Sequence, residues 1–172
     1  MTELHLMLQH LKQPDYVHVL LNPLPVYGLA MGVVALVAAW IARSRAAQAV
    51  ALLIVALAGL SVWPVIEFGE RGYDRVYAMS DRESQQWLDV HVTRASRLAP
   101  VFYVVAALAV ATILVPWKFP KTNNALVAIT LVATLVALGL GGWIGHAGGQ
   151  VRHSEFREGP PPEPVPPWTH AD

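Results

Sequence analysis

The sequence predicts an all-α protein: an antiparallel bundle of four transmembrane helices with short interfacial helices. Three observations predict it. Of the 172 residues, 55% are hydrophobic and only 14% charged, against about 25% charged in an ordinary soluble domain. Four uncharged apolar runs each come close to the roughly 20 residues a helix needs to cross the hydrocarbon. None of them alternates between two faces as barrel strands do.

Taken in order, residues 1–15 form an N-terminal segment. Leu4, Met7, Leu8 and Leu11 recur there at i, i+3, i+4, i+7, the spacing of a short amphipathic helix lying on a membrane surface; a frayed terminus is the plainer alternative. The segment lacks the basic start and long apolar core of a cleavable signal peptide. The membrane domain follows over residues 16–153. Its first span, 24–42, has Asn22 as a candidate cap and Pro23 at the first helical position. The second, 46–66, is kinked or ended by Pro64. Residues 80–83 (SDRE) have the capping-box pattern, and Trp87, Leu88, His91, Ala95 and Leu98 share a helical face leading into the third span, 98–117. Pro116 and Pro120 are expected to stop that span. Thr122 or Asn123 caps the fourth span, 124–144, and Gly148 and Gly149 are expected to end it. Trp40, Trp63, Trp117 and Trp143 lie near span ends, as an aromatic belt does. Residues 154–172 form a tail whose stretch 159–168 holds six prolines. It reads as a disordered tail or as a polyproline strap that docks on a partner.

Charge places the molecule and excludes functions. Twelve basic residues balance twelve acidic ones, so no nucleic-acid footprint exists. There are no cysteines, which excludes disulfides, thiolate-held clusters and covalent haem. The two short connections, 43–45 and 118–121, carry four basic residues and no acid. Basic short loops mark the cytoplasmic side, so the termini are expected outside, in the periplasm of a bacterial inner membrane. No ionisable residue lies near the middle of any span, which disfavours a proton or ion pathway. No nucleophile motif frames the Ser, His and carboxylate residues, so no reaction is assigned.

Chemistry collects at one rim. His18 precedes the first span, His91 the third, and His146 and His153 follow the fourth, while Glu67 ends the second. An even number of crossings returns these ends to one membrane face. Imidazole serves metals and haem iron. His18, His91 and His146 are therefore the candidate cofactor ligands, for a haem b. Three imidazoles with a carboxylate, drawn from His18, Glu67, His91, His146 and His153, form the candidate set for copper, zinc or iron. His5 and His10 read as solvated interfacial residues, and His170 as part of the loose tail. The pairs Gly141/Gly145 and Gly145/Gly149 are Gly-x-x-x-Gly steps, suited to close helix packing, to a homo-oligomer or to a flat cofactor beside His146. The competing expectation is an accessory subunit of a larger membrane complex without a cofactor.

His18 in HVLLNPLP, His91 in WLDVHVTRASRLAP and the closing GGWIGHAGGQVRH, in that order, resemble a prokaryotic four-helix integral membrane domain family of unknown function, over residues 16–153. The family's first-span pattern His-Pro-x-x-x-His-x-Pro is met at His18 and Pro25, with Val19 and Pro23 at its other two named positions. Its closing Gly-Gly-x-x-x-His-x-Gly is met at Gly141, Gly142, His146 and Gly148. The resemblance implies a membrane location and haem or metal binding.

Overall fold

The computed structural model describes residues 3–162 and 165–169. Seven α-helices form among them: α1 (Glu3–His10), α2 (Pro14–Leu21), α3 (Pro23–Ile41), α4 (Arg45–Leu60), α5 (Val62–Ala78), α6 (Arg82–Lys118) and α7 (Asn123–Arg152). Helices long and apolar enough to cross a membrane run over Pro14–Ile41, Arg45–Ala78, Arg82–Lys118 and Pro120–Arg152. The all-α, four-span architecture is therefore as the composition predicts.

Local causes set the breaks, not always those expected. Asn22 is not an extended N-cap of the first span. It is helical (φ −53°, ψ −34°) and closes α2, donating its N–H to the His18 carbonyl, before α3 starts at Pro23. Pro64 interrupts the second span from inside: it has no N–H for the carbonyl one turn back, and the helix breaks at Ser61 and restarts as α5. α5 then runs to Ala78, well past the end expected for the second span at residue 66. The cap of α6 is Asp81, whose Oδ1 accepts the Ser84 N–H at 2.8 Å. Ser80, the expected capping residue, instead donates to the Val76 carbonyl. α6 passes through Pro100 and Pro116 to Lys118, and α7 passes through Gly148 and Gly149 to Arg152. α6 thus ends between Pro116 and Pro120, within one residue of the expected end of the third span, whereas α7 runs three residues beyond Gly149. The turn after α3 uses Arg43 at φ 54°, a left-handed helix stop, and Ser44 Oγ caps α4 through the Ala47 N–H.

The chain divides into two compact units. One comprises Pro23–Val62 and Ala99–Gly141. Here antiparallel apolar segments meet through small residues. A Cβ on Gly28 would lie 2.7 Å from the Ala58 Cβ, and one on Gly32 2.6 Å from Val55 Cγ2. Gly59 abuts the Phe102 carbonyl in the same way, at 2.7 Å. Close backbone approach is the chief packing device between helices in lipid. The buried polar groups are Gln48, whose Oε1 accepts from Asn123 Nδ2 at 3.1 Å, and three threonines: Thr112 and Thr130 hydroxyls meet at 2.7 Å, and Thr134 donates to the Thr130 carbonyl. Met31, Val34, Leu53, Leu57, Val104 and Val132 are exposed, a lipid-facing surface rather than a defect.

The other unit comprises Met1–Asn22, Trp63–Leu98 and Gly142–Asp172. Its core is Tyr73, Trp87, Leu88, Val90, Val92, Ala147 and Val151, with Val165 and Trp168 packed against it. The described part of the tail is thus docked on its own chain, not loose. Trp87 Nε1 donates to the Gly159 carbonyl at 3.2 Å. The Trp168 N–H donates to Asp89 Oδ1 at 3.0 Å, and the Tyr73 hydroxyl donates to the same oxygen at 2.5 Å. Arg157 fastens the start of the tail to Asp81, Ser84 and the carbonyls of Gln150 and Val151. His170 lies outside the described residues.

Candidate functional site

The unit that contains the tail also contains the histidines at the helix ends, and it pairs two of them. The His18 and His91 rings lie with centroids 6.2 Å apart and planes at 82°. Each ring is pinned in the same way. His18 Nδ1 donates to the Val65 carbonyl at 2.8 Å, and His91 Nδ1 donates to the Ile144 carbonyl at 3.0 Å. A carbonyl can only accept, so both rings carry their hydrogen on Nδ1 and keep the lone pair on Nε2. That tautomer is the one that presents Nε2 to a metal, and the carbonyl bond holds ring orientation and raises basicity.

Glycines make room for both rings. A Cβ on Gly69 would lie 2.8 Å from His18 Nδ1, and a Cβ on Gly148 would lie 3.0 Å from His91 Nδ1 and Cε1. Each glycine stands one turn after the carbonyl its histidine bonds: Val65 then Gly69, Ile144 then Gly148. The antiparallel contact of α2 and α5 continues one turn further, where Gly72 meets the Asp15 backbone at 2.9 Å.

The other candidate ligands stand elsewhere. His146 is exposed, and its ring lies edge-on to Trp87 at 6.1 Å. It borders an open recess of about 500 Å³ with Gln150, Phe156 and Arg157, which does not include the imidazole pair. His153 bonds Glu155 at 3.0 Å and stacks on Phe156. Glu67 pairs with Arg71 at 2.5 Å along its own helix. His5 bonds Gln9, and the His10 ring lies against Tyr16. Among the described residues, no group of three or more His, Asp or Glu side chains is placed to hold a metal ion. The set His18, Glu67, His91, His146 and His153 is therefore not gathered into one centre here.

Sequence reasoning missed the roles of Val65, Gly69, Ile144 and Gly148. A usable signal was present. Gly69 and Gly72 are bare positions in an otherwise large and charged stretch, EFGERGYDR, with the spacing of one helix face. Asp81 is held well below the usual carboxylate range, at about 2, first by the Ser84 backbone N–H and then by Arg157. Comparison with protein-family models, with curated proteins and with solved structures finds no match to this chain.

Proposed function

We propose that this chain is a multi-pass protein of a bacterial inner membrane that binds one haem b through His18 and His91 at the periplasmic face, in an electron-transfer role. The observation that carries the proposal is the pair of imidazoles with Nδ1 bonded away and no hydrogen-bond partner for Nε2 among the described residues. The number of ligands decides between cofactors. Structural zinc takes four protein ligands, and catalytic zinc takes three. Two imidazoles are too few for such an ion, but the iron of a haem is already held by its porphyrin, so His18 and His91 would be enough to bind it. The two rings are near neighbours, with centroids 6.2 Å apart, so His18 and His91 would together hold the group. The niches at Gly69 and Gly148, which a Cβ would fill, are consistent with rings that must sit close against their supporting helices. When bound, haem supplies one-electron chemistry, and the chain's own part is to hold, orient and enclose it. The family resemblance points the same way. The basic connections 43–45 and 118–121 support periplasmic termini.

Haem content of detergent-purified protein from haem-replete cells tests the proposal. The expected result is about one haem per chain, a severalfold lower content in His18→Ala or His91→Ala, and none in the double variant. His146→Ala and His153→Ala should keep theirs. A colourless wild-type protein contradicts the reading. So does a double variant that retains full haem.

One observation favours the second reading, an accessory subunit in a larger complex or a homo-oligomer. A Cβ on Gly142, Gly145 or Gly149 of α7 would meet nothing within 4 Å among the described residues, which leaves a smooth face free for another helix. That reading expects a stable partner or second copy on purification, and a Gly145→Leu variant that loses it.

A further inference from the structure

The two imidazoles are held by one device used twice. In the first helix pair, His18 precedes the apolar span, bonds the carbonyl at position 65 and lies on the glycine at 69. In the second, His91 precedes the span, bonds the carbonyl at position 144 and lies on the glycine at 148. Carbonyl and glycine are four residues apart in both cases, on the helix that returns after a short basic connection. The order of parts along the chain is the same in both halves, as in parallel internal repeats of other membrane proteins. The two stretches that carry it, VIEFG and IGHAG, share only the final glycine.

We infer that His18 and His91 would serve as equivalent ligands, and that Gly69 and Gly148 are positioning residues that hold both rings to the iron. This rests on the haem reading above. A site built around one strong ligand leaves the opposite position open for a gas or peroxide, and asymmetry in the supports would be its signature. Here the supports match: each ring has a backbone acceptor, each has a glycine behind it, and both are drawn from regular helices rather than loops. Ligands on such elements are held more rigidly than ligands on loops. A closed site of this kind passes electrons and does not take up small ligands.

Carbon monoxide tests it. The dithionite-reduced wild-type protein should show no shift of its Soret band under CO. Gly69→Val and Gly148→Val each press on one ring, and each should convert the protein to a form whose Soret band shifts with CO while haem remains bound. Should the valine variants not fold, His18→Ala and His91→Ala serve instead. Their residual haem should take CO, and added imidazole should restore the CO-insensitive spectrum in both. Full CO binding by the haem-loaded wild type overturns this inference and leaves the haem reading standing. A response in only one member of either variant pair overturns the equivalence of the two ligands. A preparation without haem overturns the haem reading, and this inference with it.

Discussion

Asp81 joins a helix cap to the fastening of the tail. Its carboxylate accepts the Ser84 N–H and two contacts from Arg157 Nη1, at 3.1 and 3.2 Å. The ordinary value of 3.8 falls to about 2 in the folded protein. A carboxylate with a depressed folded value stabilises the fold above its unfolded value and loses that contribution as pH falls through the folded one. The contribution is thus complete at neutral pH and is lost between about pH 4 and pH 2. Asp81→Asn should flatten the acid limb of a stability-against-pH curve within that window, and it should free the tail for proteolysis after Arg157. An unchanged acid limb would show that the cap and the Arg157 contact do not act in the folded protein. Asp89 is a different case. It is buried and holds the Tyr73 hydroxyl and the Trp168 N–H on one oxygen. Removing the carboxylate takes away the acceptor that both groups share, and loss of a hydrogen bond to a charged group costs about 1.5–3 kcal/mol. Asp89→Ala should therefore lower the melting temperature, and limited proteolysis should cut near Trp168 first.

At the scale of elements, packing rests on glycines used in two opposite ways. Gly59 cannot take a side chain without a collision with the Phe102 carbonyl at 2.7 Å. Backbone cannot give way cheaply, so Gly59→Ala should cost about 1–3 kcal/mol. Gly139 lies in helix α7, and a Cβ there meets nothing within 4 Å among the described residues. Gly139→Ala should be neutral or stabilise by up to about 1 kcal/mol through helix propensity. Thermal unfolding of the two variants in detergent checks the pair; equal effects would contradict the packing described. The elements also show what could be read from sequence. Spans are set by hydropathy and length, both local, so all four could be read. Helix ends depend as well on the contacts waiting beyond a stop signal. Gly148 and Gly149 signal a stop, yet α7 runs on to Arg152: Gly148 is spent on the His91 ring and not on a left-handed cap. The candidate site was half legible. Four crossings bring His18 and His91 to one end, and the structure pairs them. Which histidines then face each other depends on helix rotation. A glycine at 69 or 148 reveals that rotation only once its partner is known. His146, next to the glycine steps, was as strong a candidate by sequence and turned out to face Trp87.

For the whole molecule, orientation is the first question, and the cysteine-free sequence makes it simple to ask. Ser44 lies in a short basic connection, and Ser154 follows α7. In intact cells, a membrane-impermeant maleimide should label Ser154→Cys and spare Ser44→Cys until the membrane is opened. The reverse pattern would place the imidazole pair on the cytoplasmic side. The central claim is that two helix-end imidazoles, each bonded through Nδ1 and backed by glycine, enclose a flat iron cofactor. A density map of the protein purified from haem-replete cells tests it most directly. Planar density joined to Nε2 of both His18 and His91 is expected. Rings in direct contact with nothing between them would contradict it.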